Sequence, residues 1–349
     1  MKINMYPMLK TLLFTLENGK SISSAMGLIA KTAKTRKERR IFTKVGNDLK
    51  DGLSFSDSLH KYKLGSLDII YFIRLAEKGM SFKAALKKII KYIEVKDEFQ
   101  RESNDKTTLP FIYLTLASIG VIGVKFFAVP YQMQRAQEYS AEIIDLIATH
   151  LLLAQVMTNV LLFLLIGVIS YFIILMLALF SDSYSSQAIS KKLGLALPFI
   201  GNIIKRFEKF MLFGMLGEMM QSGISFKKAM ESAIETTSIK SYKVALRNTL
   251  KSMKYDGKIL FPKSLYDDME KELMRAVGSS QQIGSVMLEM SNRARTDALA
   301  LTTSFFRMIM VMSIFLMAFT VFIEFYTVVL TQILIQKGLI DLTGGIGAF

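Results

Sequence analysis

The sequence predicts an all-α membrane protein in which two repeated helical bundles, about six helices each, are interleaved with three transmembrane helices. Three observations lead there: a motif carried twice, three long apolar runs, and a one-sided distribution of Lys and Arg. The motif occupies residues 12–30 and recurs at 216–234. Without gaps, Gly19 falls on Gly223, Ser21 on Ser225, Ala25 on Ala229 and Met26 on Met230. In each copy an apolar-rich helix runs up to a Gly, which takes the left-handed position after a helix without steric penalty. The Ser two residues later stands where it can cap the next helix by accepting from its free N–H groups.

The first bundle is expected over residues 1–108. Leu86, Ile89, Ile90 and Ile93 recur at helical spacing with Lys83, Lys87, Lys88 and Lys91 between them, an amphipathic pattern whose apolar stripe needs partners. The polar stretch Asp97–Thr108 leads out of it. Lys10 splits the apolar stretch Met5–Leu16, which is too short for a secretory signal. The first span is expected at 109–129, containing Lys125 and closed by Pro130. A connector follows at 130–157, then the second span at 158–180. The second bundle occupies 181–304, with a loop near Lys254–Lys263, and the third span runs over 305–335. That span is flanked by Arg307 and interrupted by Glu324, and residues 336–349 form a tail. Each run approaches or exceeds the ~20 residues that a bilayer core requires.

Charge orients the chain. Residues 1–108 carry 22 Lys/Arg against 12 Asp/Glu, and 181–304 carry 18 against 12. The connector has Arg135 alone against three acids. Lys and Arg are retained on the cytoplasmic side, which puts both bundles and the N-terminus inside, and the connector and C-terminal tail outside. Much of the net charge of +15 then faces an anionic leaflet, so membrane lipids are expected partners. Nucleic acid, the competing reason for so basic a chain, is not expected, because no nucleic-acid-binding signature accompanies the charge.

The repeat extends past its opening. Phe72–Phe82 lines up with Leu273–Ile283, so Arg74 matches Arg275, with breaks near Gly79 and Gly278. At this point the residues resemble a family. Leu197-Pro198-Phe199-Ile200-Gly201-Asn202-Ile203, a helix through Phe210, then Gln221-Ser222-Gly223-Ile224-Ser225 with Ala229 and Met230, is similar to the signature of the type II secretion F / type IV pilus inner-membrane platform family. Ala76-Glu77-Lys78-Gly79 is similar to the Gly-Glu-x-x-Gly turn closing each repeat of that family, with Ala76 for its first Gly. The second copy, Val277-Gly278-Ser279-Ser280, lacks the Glu. A short, basic, divergent chain looks more like the type IVb pilus branch. The resemblance implies a non-enzymatic scaffold in the bacterial cytoplasmic (inner) membrane. It implies a hexameric secretion ATPase, pilins and other inner-membrane assembly proteins as partners, and self-association into a homo-oligomer. The face carrying Lys83, Lys87, Lys88 and Lys91 is expected to meet the motor or lipid headgroups.

Chemistry of other kinds is weakly represented. Gly19-Lys20-Ser21 looks like the end of a phosphate loop, but Phe14 stands where the loop needs its first Gly. His60 and His150, the two histidines, fall on opposite expected sides of the membrane, so no shared metal site is expected. Asp267, Asp268, Glu270 and Glu272 crowd one helix and read as a solvated face. No catalytic, cofactor-binding or metal-binding constellation is expected, and without Cys there is no disulfide framework. The alternative reading is a polytopic membrane transporter or enzyme working through intramembrane charges. Lys125 lies 16 residues after Leu109 and Glu324 lies 16 residues after Met308, about 24 Å from the inner face. Two readings of them stay open: each snorkels separately to outer headgroups, or they pair within or between protomers. A reporter fused after Phe349 is expected to behave as periplasmic and one near Tyr255 as cytoplasmic; the opposite pattern removes the three-span arrangement.

Overall fold

The structure is a computed structural model that describes residues 5–79, 82–137, 141–180, 191–255, 261–277 and 280–342. Among these the chain is helical, with no strand. Its contacts divide it into two compact units: Met1–Glu102 with Leu179–Ala300, and Ser103–Ala178 with Leu301–Phe349.

In the first unit, α1 (Met5–Glu17), α2 (Ile22–Thr32), α3 (Arg36–Lys50), α4 (Phe55–Lys61), α5 (Leu67–Gly79) and α6 (Phe82–Asp105) follow one another. Gly19, at φ +76°, ends the first of these helices. Ser21 caps α2, its hydroxyl accepting from the Ser24 N–H at 3.2 Å. Thr35 and Glu38 form a reciprocal capping box that starts α3. After the second span come α10 (Ile200–Gln221), α11 (Phe226–Thr236), α12 (Lys240–Tyr255), α13 (Asp268–Arg275) and α14 (Ser280–Phe325). Gly223, at φ +85°, repeats the Gly19 turn. The repeat is imperfect at Ser225: it holds the N-cap position of α11, but its hydroxyl makes no capping bond. In the first copy Ser21 is also bonded to the Ser24 hydroxyl, whereas Lys228 occupies the matching place in the second and offers no hydroxyl.

The two copies share one hydrophobic core. A single cluster of buried side chains takes in Leu9, Leu12, Met26, Phe55 and Ile73 from the first copy and Phe213, Leu216, Met219, Met230 and Met290 from the second. At its centre α10 runs antiparallel to both long helices. Against α6 it stacks Phe207 and Phe210 on Phe99, with ring centroids 4.9 and 5.5 Å apart. Against α14 it presents Gly214 and Gly217: a Cβ at Gly217 would lie 2.7 Å from Leu288 Cγ and 2.9 Å from the Gly284 carbonyl oxygen. Hydrogen at those positions permits the backbone approach; a methyl group would separate the helices.

The second unit holds the apolar helices. α7 (Thr108–Gly123) continues through a π-helical turn, Val124–Ala128, into α8 (Val129–Ala136). α9 (Ala141–Phe180) forms the second span, and the C-terminal part of α14 continues through a π turn, Tyr326–Leu330, into α15 (Thr331–Leu342). The stretch 130–157, expected as a connector, is therefore helical over Val129–Ala136 and again from Ala141, where apolar residues 151–156 extend the helix backwards. Pro130 accounts for the first π turn: it has no N–H for the Phe126 carbonyl, and widening the preceding turn relieves the ring clash. The two π turns lie 202 positions apart, against 204 for the Gly19–Gly223 pair, so the duplication extends into the first and third spans. Among the described residues, three helices are long and apolar enough to cross a membrane. Phe111, Leu116, Phe163, Ile166, Phe315 and Val321 are exposed along them, as a lipid environment permits and water does not.

At positive φ a side chain costs about 1 kcal/mol, more when β-branched. A Cβ at Gly19 meets nothing within 4 Å, so Gly19→Ala isolates the backbone penalty. Because the copies share a core, the test uses the intact chain in detergent. Gly19→Ala and Gly223→Ala are each expected to lower stability by about 1 kcal/mol in chemical denaturation, and Gly223→Val by more. An unchanged midpoint for Gly223→Val contradicts the assignment.

Candidate functional site

The joint between the two copies is built around a buried carboxylate. Glu218, in the last turn of α10, is 3% exposed and lies 3.4 Å from Lys88 Nζ and 3.5 Å from Lys91 Nζ on α6. Lys88 also donates to Gln221 Oε1 at 2.9 Å. A buried carboxylate needs such compensation, because its own desolvation is costly. Lys87 takes Glu17 of α1 at 2.8 Å. Thus three of the four lysines expected to face a motor or lipid are paired with acids of the chain itself. Lys83 is exposed and has no acidic partner among the described residues. Further along, Arg295 of α14 reaches Glu98 at 3.3 Å and Glu102 at 2.6 Å, tying α14 to α6.

A second buried pair organises the far side of α10. Lys209 Nζ donates to Glu270 Oε2 at 2.6 Å, with both side chains almost fully buried. Glu270 also completes a capping box with Asp267 at the start of α13. Of the acidic cluster expected as a solvated face, Asp267, Asp268 and Glu272 are exposed, Asp268 beside Lys271 and Glu272 beside Arg275, while Glu270 alone is inside. Lys271 beside it holds the Asp268 carboxyl below its usual range. Tyr266 stacks on Phe213 at 5.5 Å; burial, and then the Glu270 charge, push its phenol well above its ordinary value.

The turn entering α10 explains two residues of the sequence pattern. The chain reverses at Pro198 and Phe199, the latter at φ +62°, and the Gly201 N–H donates to the Leu197 carbonyl at 3.0 Å. A Cβ at Gly201 would lie 2.9 Å from the Leu195 carbonyl oxygen, so only Gly fits. Glu77 acts at a helix start: its Oε1 accepts from the Phe55 N–H at 2.6 Å and its Oε2 from the Ser56 N–H at 3.2 Å. These are free donors of the first turn of α4, where the helix dipole also favours an anion. Arg74 pairs with Asp57 on the same helix at 2.7 Å. Gly79 is the last residue of α5; Gly278 lies outside the described residues.

In the membrane unit, Lys125 and Glu324 do not pair within one molecule. Lys125 donates to Asn159 Oδ1 on α9, and His150 Nδ1 lies 2.9 Å from the Tyr326 hydroxyl. Glu324 and Arg307 are both exposed.

Comparison with known proteins finds two likenesses. Residues 8–130 match the family model described as Type II secretion system (T2SS), protein F. The chain is also similar to the type IV pilus assembly protein PilC of Thermus thermophilus, 21% identical over 217 residues, or 61% of this chain and 52% of that protein. Both findings support the type II secretion F / type IV pilus platform family. The chain spans about half the length of the curated relative it matches. The stretch that matches the F-protein model contains the Gly19 turn, Glu77 and the first span. The three helices among the described residues that are long and apolar enough to cross a membrane are those of a multi-pass membrane protein.

What the sequence did not disclose is the pairing. Glu218 and Glu270 look like ordinary surface carboxylates in their helices. The signal that marks them is position: Glu218 stands among the apolar residues Leu216, Met219 and Met220 at the end of α10, and Glu270 stands one turn before Met274. Lys209→Ala or Glu270→Ala, by leaving one buried charge unmatched, is expected to cost roughly 3–5 kcal/mol. The double replacement Lys209→Met/Glu270→Leu is expected to recover most of that loss. Additive losses in denaturation would contradict the pairing.

Proposed function

We propose that this protein is a membrane scaffold of a type IV pilus or type II secretion assembly machine, seating a hexameric secretion ATPase on its cytoplasmic side. The ATPase performs the hydrolysis, and the scaffold passes its motion to pilins leaving the bilayer and holds other inner-membrane assembly proteins. Self-association in the membrane belongs to the same reading. The observation that carries it is the match of residues 8–130 to the F-protein family, in a chain with three apolar helices.

The fold supports that role in one physical respect. A part that transmits motion must not deform under load, and the duplicated helices are closed into one core with charged ties at Glu218 and Arg295. The Lys/Arg distribution supports placing this unit and the N-terminus in the cytoplasm and the C-terminus in the periplasm. The reading assigns the protein no reaction of its own.

The test is purification of the tagged full-length protein from native membranes, with its partners identified by mass spectrometry. The secretion ATPase and pilins are expected, and deletion of the gene is expected to abolish fibre assembly or secretion. Normal assembly in the deletion strain contradicts the proposal and returns attention to a transporter.

A further inference from the structure

Two ionisable residues stand within the first and third spans at matched depth. The close approach of these helices sets that depth: a Cβ at Gly120 would lie 3.2 Å from Thr320 Cγ2. Lys125 follows Gly120 by five positions and Glu324 follows Thr320 by four, so both lie about 6–8 Å beyond one contact along parallel helices. Yet they point apart. At about 100° per residue, Lys125 is turned roughly 140° from the contact line and Glu324 roughly 40°. The Lys125 amine faces α9 and donates to Asn159 Oδ1, a neutral amide that orients the ammonium without balancing its charge. Glu324 is exposed and has no ion pair or hydrogen bond among the described residues.

An unbalanced charge in the apolar part of a membrane is costly, and one molecule carries one of each sign on two different faces. Both charges are framed by exposed rings: Phe126 and Phe127 beside Lys125, and Phe322 and Phe325 beside Glu324. Aromatic side chains are enriched at interfaces, and a charge desolvated among them needs a partner of opposite sign.

We propose that the Lys125 face of one molecule docks against the Glu324 face of a second copy, pairing the first span of one with the third span of the next. The occupant follows from charge complementarity: at this depth a second copy offers the opposite charge with rings to match. Because the two faces differ, the contact is head-to-tail and closes into a ring where the rotation allows. Asn159 then serves to hold the amine in place for the incoming carboxylate. The inference deepens the self-association of the proposed scaffold and rests on that reading.

The chain has no Cys, so introduced thiols report cleanly. Ile122 and Val321 are exposed and precede Lys125 and Glu324 by one helical turn. Full-length Ile122→Cys and Val321→Cys chains carrying different tags are co-expressed and oxidised in membranes. A mixed disulfide dimer is expected. Adding Lys125→Glu to the first chain, or Glu324→Lys to the second, is expected to reduce it about tenfold or more, because like charges then meet. Both reversals together, one in each chain, are expected to restore it. Crosslinking insensitive to either reversal, or lost and not restored by the swap, overturns the pairing and leaves each charge to reach headgroups alone. If the two tagged chains co-purify without this crosslink, the surface is wrong while self-association stands. If they do not co-purify at all, self-association falls with it.

Discussion

Each copy of the duplication carries more apolar helix surface than it covers by itself, and the constraint on everything else is that both bury it in one core. α10 is the element that makes this possible. It lies against α6 through Phe99, Phe207 and Phe210, and against α14 through Gly214 and Gly217. One face is filled with rings and the other is stripped of side chains. Once α10 is so placed, Glu218 at its end is carried into the interior, and Lys88 and Lys91 become necessary to offset its desolvation. The charged tie is therefore a consequence of the packing, and it also sets the register between the copies.

The same logic explains the turns. Helices that must return across a shared core need sharp reversals with no side chain in the way. Gly19 and Gly223 provide them at positive φ, and Gly201 provides another where a carbonyl oxygen occupies the space of a methyl group. Glu77 contributes in a different way: it anchors the start of α4 from a neighbouring helix, so α4, which is only seven residues long, is held by a tertiary contact. The second copy has no Glu at the matching place; α13, the counterpart of α5 by the Arg74–Arg275 match, starts on its own capping box.

The fold was largely legible in the sequence because its signals are local. Apolar runs of bilayer length and helical periodicity each depend on neighbours within a few positions. The internal repeat was legible because Gly and Ser at fixed spacing survive divergence. Charge partners were not legible. Lys87 and Lys91 are exposed as an outward basic face requires, but nothing near them or Lys88 in sequence announces that Glu17 and Glu218 lie opposite. Glu270 read as solvated for the same reason, its partner Lys209 being 61 positions away. Local pattern determines which helices form; which charges meet is settled by how the helices stack.

The claim on which this account turns is that the two copies act as one body. Hydrogen exchange on the full-length protein in detergent tests it directly, by following core amides of α1 and α10 in the wild type and in a chain weakened in the second copy alone, such as Gly217→Val. If the copies share one cooperative core, protection falls together in both helices, although α1 is remote in sequence from the substitution. Loss confined to α10 and its immediate neighbours, with α1 exchanging as in the wild type, would show two independent domains and contradict the account.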